Sequence, residues 1–280
     1  MRETKEEGDN ATGTQLLDRA VGVLRYLGDV GQQGASMASI GEALQLKQST
    51  THRIVTALQR HGLIDREVNT KRYRLGLALF AMGATAADGT GLRRLARPAL
   101  VRLSAETHDT VFLMARAGLN AICVDRQEGT YVLDSLTGYV GGQIPLGVGP
   151  ASLAILAFLE EAEAQAIIKA NASRYETYRG LSAEHIRKAL ASVRENGFAI
   201  DQDGLVAGIS AMAIPILPQG RDAVAAIAIN MTSSRLPNER IRDLLALLQS
   251  EVRQIEDAVN PLEGHRIAPL GNASVGRVGK

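Results

Sequence analysis

From Thr14 onward, apolar residues recur at three- and four-residue steps. Leu17, Ala20, Val21, Leu24 and Leu27 share one face, which predicts an amphipathic helix closing near Gly28. The loop Gly31-Gln32-Gln33-Gly34 follows, and Ser36 is placed to cap a second helix that buries Met37, Ile40 and Leu44. Ser39 with Glu42 also fits a capping box, so two starts one turn apart stay open. A tight Gln45-Leu46 turn leads into a third helix, Lys47 to His61, whose inward face is Ile54, Val55 and Leu58. In Arg72-Tyr73-Arg74-Leu75 the period drops to two, which predicts a strand with both arginines on one face, paired with the segment from Leu63. The turn at Asn69 and Thr70 puts Lys71 at the hairpin tip. Three helices and a basic hairpin in this order are the layout of a winged helix-turn-helix.

Gly76 to about Ala87 carries Leu77, Leu79, Phe80 and Met82, too apolar for an uncovered linker, and predicts a packed connecting helix. Either a second copy of the chain or the chain's own second domain covers it. Asp88-Gly89-Thr90-Gly91 breaks the helix, and Leu92 to Glu106 resumes it. Beyond Pro98 the pattern alternates. Val111 to Arg116 and Ala121 to Asp125 read as a hairpin around Gly118-Leu119-Asn120, and Tyr131 to Leu136 as a third strand. Ala151 to Leu159 is a dense apolar helix, and Ser182 to Asn196 an amphipathic one ending at Gly197. Ala211 to Leu217 and Ala223 to Met231 are two further strands, and Ile241, Leu244, Leu245, Leu248, Val252 and Ile255 mark a last helix. The expected fold class is α+β, with a mixed sheet covered by helices in the second half. The expected divisions are a disordered tail over 1–13, a winged helix-turn-helix domain over 14–76, a connecting helix over 77–97, a second domain over 98–261 and a disordered tail over 262–280.

Composition changes this picture at three points. With 280 residues and 45% hydrophobic content, the chain can bury two cores, and without Trp those cores rest on Leu, Ile, Val and Ala. The single Cys123 excludes an internal disulfide and a cysteine-rich metal site. No signal-like N-terminus and no apolar run of membrane-spanning length stands out, so the expected location is the cytoplasm, without a membrane partner. Charge is the sharper signal. Between Leu44 and Gly76 seven Lys or Arg face two acids, in a chain whose net charge is +1, so the remainder is net acidic. A patch of this kind displaces counterions from a phosphate backbone.

The patch names candidate contacts with double-stranded DNA. Gln48, Ser49, Thr50, Thr51 and Arg53 lie at the start of the third helix, whose positive dipole end approaches phosphate, and Lys71, Arg72 and Arg74 lie on the wing. For any one residue the plain alternative is a cap or a solvated charge; for the wing alone it is an edge strand kept soluble by cations. Neither alternative accounts for helix and wing together. A second candidate is Pro145-Leu146-Gly147-Val148-Gly149-Pro150-Ala151-Ser152, where Gly-rich backbone entering a helix offers amides to an anion. The alternative there is a plain loop and cap. A dinucleotide fingerprint is rejected, because no Val/Ile-rich strand immediately precedes Gly147 and no acid follows at the required distance. The five histidines have no ligand spacing, and Asp201 with Asp203 falls in an expected loop, so neither catalytic nor metal-binding residues, nor a cofactor, are proposed.

The stretch KQSTTHRIVTALQRHGLIDREVNTKRYRLG resembles the recognition helix and wing of IclR-type transcriptional regulators. Ile144-Pro145-Leu146, Asn196-Gly197-Phe198-Ala199-Ile200-Asp201 and Ala213-Ile214-Pro215-Ile216 extend the likeness along the ordered chain. The resemblance implies a DNA-binding domain joined by a helix to a GAF-like effector domain, working as a homodimer or a dimer of dimers. It also implies effector contacts: apolar walls at Leu136, Ile144 and Ile209, amides at Pro150 and Ala151, and polar positions at Asp201, Ala211, Ala228 and Asn230. Ser152 joins them from the Gly-rich loop. Departures from the family pattern are Pro150, which has no N–H, Ala211 where Cys is frequent, Ala228 where Ser is frequent and Leu153 where Lys is frequent. Fewer polar groups point to a larger or more apolar organic acid, aromatic acids included. The expected function is a repressor or activator of transcription controlled by that acid. The alternative is a small-molecule enzyme or sensor module recruited by a basic N-terminal domain.

Overall fold

The computed structural model describes residues 7–133, 136, 139–218 and 222–258, with only the backbone at 7–13 and 84–90. The expected tail over 262–280 lies outside them. The chain divides into two compact units, Met1–Ala86 and Ala87–Lys280.

In the first unit, α1 spans Glu7–Val30, starting before the Thr14 the pattern suggests and running past Gly28. A 3₁₀ turn (Gly31–Gln33) leads to α2 (Met37–Ala43), and of the two possible caps Ser36 is used: its Oγ accepts the Ser39 amide at 3.1 Å. Helix α3 is Gln48–Arg60. Strands β1 (Ile64–Arg66) and β2 (Tyr73–Leu75) pair antiparallel, and Tyr73 bridges to Ala35 through two backbone hydrogen bonds of 2.8 and 2.9 Å. Val23, Leu27, Ile40, Ile54, Val55, Leu58, Ile64 and Tyr73 form the core. Two glycines let the wing approach the helices. Gly62 ends α3 at φ +68°, and a Cβ on Gly76 would stand 2.2 Å from the Gly62 carbonyl oxygen. Leu75, on the strand face opposite the two arginines, is 42% exposed.

Helix α4 (Leu77–Thr90) continues through Asp88-Gly89, where a break was expected; the break comes at Gly91, whose φ is +64°. Helix α5 (Leu92–Thr107) follows and contains Pro98. Six strands form the sheet of the second unit: β3 (Thr110–Ala117), β4 (Asn120–Gln127), β5 (Gln143–Pro145), β6 (Ala199–Gln202), β7 (Ile209–Ile216) and β8 (Ala225–Thr232). Their order is β5-β4-β3-β8-β7-β6, and every neighbouring pair is antiparallel rather than mixed. The reason lies in the return path: α6 (Pro150–Ala157), α7 (Glu161–Tyr175) and α8 (Ala183–Asn196) carry the chain from one sheet edge to the other, and β6 enters against β7.

The sheet's two faces differ by alternation along single strands. On β7 and β8, Met212, Ile214, Ile216, Ile227, Ile229 and Met231 pack in a cluster with α5 and α9 (Asn238–Ala258). Ala213, Ala226 and Ala228 pack in the cluster that includes α6 to α8. Tyr131 to Leu136 forms no strand among its described residues. Instead Tyr131 donates its amide to the His108 carbonyl (2.9 Å), and its own carbonyl accepts the Thr110 hydroxyl (3.0 Å). Those bonds tie the segment to the end of β3 and leave no ladder to join.

Candidate functional sites

Small residues on the inner face of the sheet leave a cavity beneath α6. Its floor is Phe112 and Met114 from β3, Ala211 from β7, and Ala228 and Asn230 from β8. The register places Asp201, Ala211, Asn230 and Thr110 in one row across four strands, and Phe112, Ala228 and Ala213 in the next. Leu136, Ile144, Leu205, Val206 and Ile209 wall the space, and Gly149, Pro150 and Ala151 bring the start of α6 to it. Including its open mouth and the solvent in it, the space spans about 580 Å³. Gly149 is the N-cap at φ +77°, a backbone state disfavoured for residues with side chains, and a Cβ there would sit 3.8 Å from Leu136. Pro150 has no N–H, so Ala151 and Ser152 carry the first amides at the helix start, where intrahelical bonding leaves donors over.

Of the effector residues expected from sequence, Leu136, Ile144, Ala151, Asp201, Ile209, Ala211, Ala228 and Asn230 all line this one cavity. Ser152 does not. It is fully buried, and its hydroxyl turns back to the Gly149 (3.3 Å) and Val148 carbonyls, so only its amide points toward the helix start. Sequence reasoning missed Phe112, Met114, Leu205 and Val206. The period-two pattern of β3 marks Phe112 and Met114 as facing alike, but nothing local says which face is hollow. Asp201 sits on strand β6, not in a loop. Its Oδ2 accepts the Leu205 amide at 3.2 Å. Burial holds its carboxyl above the usual range, with Asp203 adding to the rise and the Leu205 and Gly204 amides opposing it.

The second site is the outward face of α3. Gln48, Ser49 and Arg53 are exposed and Thr50 half-buried, and His52, Thr56 and Arg60 extend the same exposed surface at helical spacing. Thr51 is 1% exposed and its hydroxyl donates to the Lys47 carbonyl at 3.2 Å. It also stands where a Cβ on Gly41 of α2 would meet its Oγ1 at 3.1 Å, so its side chain packs the α2 to α3 turn rather than facing outward. On the wing, Lys71 is exposed at φ +56°. Arg72 donates to the Gly34 and Gln33 carbonyls at 3.0 and 3.2 Å, and Arg74 pairs with Glu67 at 3.1 Å. Both arginines are therefore tied to their own unit while remaining at least partly accessible.

Elsewhere, Cys123 lies in the sheet core, its thiol pushed up to about 12 chiefly by burial, with the Asp125 charge next. Such a thiol is a packing group, not a nucleophile. Among the described residues no cluster of His, Cys, Asp and Glu is built to hold a metal, and no helix is long and apolar enough to cross a membrane.

Residues 16–67 match the family model described as the IclR helix-turn-helix domain, and residues 84–257 match the bacterial transcriptional regulator IclR C-terminal model. The HTH-type transcriptional regulator XynR of Escherichia coli (strain K12) is 26% identical over 238 residues, covering 84% of this chain and 93% of that protein. The transcriptional repressor IclR of the same strain is 24% identical over 249 residues, with 88% and 90% covered. Among solved structures, an IclR homolog from Microbacterium hydrocarbonoxydans complexed with 4-hydroxybenzoate superposes with a TM-score of 0.72 at 21% identity, over 86% of this chain and 98% of that one. The chain belongs to the IclR family of bacterial transcriptional regulators, as a ligand-responsive DNA-binding regulator and not an enzyme.

Proposed function

We propose that a small organic acid with an apolar, aromatic-sized body occupies the cavity under α6 and thereby controls operator binding by α3 and the wing. The observation that carries this reading is the cavity's polarity. The amides of Ala151 and Ser152 and the dipole of α6 favour a carboxylate, and Asn230 adds a polar side chain to the lining. Leu136, Ile144, Ile209 and Phe112 add apolar surface to the same lining. The 4-hydroxybenzoate held by the Microbacterium homolog is an acid of this kind. Asp201 also lines the cavity, with one oxygen on the Leu205 amide, and is suited to meet a hydroxyl rather than the carboxylate.

For DNA, we assign base and phosphate contacts to Gln48, Ser49, Thr50 and Arg53, with His52 and Thr56 on the same face, and phosphate contacts to Lys71. Arg72 and Arg74 hold the wing in place and reach phosphate from its side. The chain works as a homodimer through α4, where Leu77, Phe80 and Met82 are 76%, 73% and 59% exposed on a single chain. Calorimetric titration with 4-hydroxybenzoate tests the effector reading. Binding by the parent, lost in Asn230→Leu and in Ile209→Asp while both still bind DNA, is the expected result. Equal binding by the parent and both variants removes the acid from this cavity.

A further inference from the structure

Strand β4 is irregular at one point. Opposite Leu113 and Met114 the register jumps from Asp125 to Cys123, so Val124 is the extra residue of a β-bulge. The consequence is directional. Cys123 lies in the cluster beneath α6, Val124 packs in the cluster with α5 and α9, and the bulge lets Asp125 reach α5 as well. Arg126, next along, returns to the cavity side, where its guanidinium lies 5.5 Å from the centre of the Phe112 ring that floors the cavity. The same guanidinium donates to the Leu133 carbonyl at 3.1 Å, in the segment that leads toward Leu136 on the cavity wall.

On the opposite face, one side chain grips both of these neighbours. Arg97 of α5 donates Nη1 to Asp125 Oδ1 at 3.0 Å and to the Arg126 carbonyl at 3.1 Å. Asp125 is only 2% exposed, and its Oδ2 has no hydrogen bond; Arg93 Nε stands 3.5 Å from it. A buried carboxylate held by two half-exposed arginines ties the position of α5 to that of β4, because any parting of the two strands a charge away from water. Helix α5 starts directly after the left-handed Gly91, and α4 precedes it on the path to the DNA-binding unit.

We infer that Arg97, Asp125 and Arg126 form the element by which occupancy of the cavity is passed to α5. Filling the cavity presses on Phe112 and the Arg126 guanidinium, the bulge transmits the shift along β4, and Arg97 delivers it to α5. These are positioning residues that touch no effector. The inference rests on the reading of the cavity as the effector site, and its test uses no effector.

Ala228 lies directly across from Phe112 and lines the cavity, so Ala228→Leu fills the space from within, with Ala211→Val as a second filler should the first fold poorly. Amide hydrogen exchange over Leu92–Thr107 is compared with and without the filler, first in the parent and then in Arg97→Gln and Asp125→Asn. The expected result is a change of about threefold or more in α5 exchange on filling the parent, absent in both charge variants. A merely structural pair would raise α5 exchange in the charge variants yet leave its response to filling intact, and that outcome overturns the inference. So does α5 exchange that ignores filling in the parent. Failure of 4-hydroxybenzoate to bind the parent would count against the effector reading alone, leaving the exchange comparison to decide this one.

Discussion

Phe80 offers the cleanest perturbation of the dimer. In a single chain its ring is 73% exposed on α4, so truncation removes little that holds the monomer together. An aromatic side chain buries on the order of 200 Å², and at about 25 cal/mol per Å² the exposed share of Phe80 represents roughly 3 to 4 kcal/mol if a partner covers it. Association costs consume part of that, and half the area value is a conservative yield. Two rings are lost per dimer, so Phe80→Ala should weaken self-association by about 3 to 4 kcal/mol, a factor of several hundred. Sedimentation velocity across a protein dilution series reads the constant directly. A melting temperature measured on the dissociated chain should barely move, since the ring has few partners of its own. Leu79 of the same helix is half-buried on its own chain and would confound the two effects. A dimer constant unchanged by Phe80→Ala, with the chain still folded, would refute α4 as the interface.

Arg53→Ala should weaken specific and random DNA alike and lower the salt slope by about 1, whereas Gln48→Ala should relax sequence preference; anisotropy titrations at several salt concentrations separate these outcomes. Thr51→Ala should lower the melting temperature by exposing a packing defect at the α2 to α3 turn, yet leave sequence preference as it was, and altered preference would place that side chain at the DNA after all. Asp201 gives a pH test. Its folded carboxyl sits above its unfolded value, so the folded state binds the extra proton; that contribution is fully present below the unfolded value and lost as pH rises through the raised one. Stability, and affinity for an anionic acid, should therefore both fall with rising pH across that interval. Asp201→Asn should flatten both profiles, and an unflattened profile assigns the pH dependence to another group.

Which parts were legible in the sequence follows from where the information lies. Capping residues speak locally: Ser182 accepts the His185 amide and Gly197 closes α8 in the left-handed state, as their types foretell. The alternation of small and large residues along β7 and β8 likewise foretells two unlike faces, whereas Ala211, Ala228 and Asn230 were singled out only through the family resemblance. Helix α7 has no such signal, since its buried positions Ala164, Ile167, Ile168 and Tyr175 are interspersed with alanines and polar residues that blur the stripe. The segment from Tyr131 has strand-like composition, but its hydrogen bonds go to His108 and Thr110, partners more than twenty residues back. Thr51 resembles its neighbours Ser49 and Thr50 in type, and only the approach of Gly41 and the bond to Lys47 turn it inward. The bulge that aims Asp125 at α5 depends on a register between two strands, which no single stretch of sequence contains.

The most direct test of the account is anisotropy of labelled DNA from immediately upstream of the reading frame, titrated with the full-length protein in the presence of a panel of aromatic and aliphatic monocarboxylates. The account predicts that at least one aromatic acid shifts the parent's DNA affinity, and that Asn230→Leu binds the same DNA with the shift abolished. An effector response that survives intact in Asn230→Leu, or a parent whose DNA affinity responds only to cationic or neutral ligands, would contradict it.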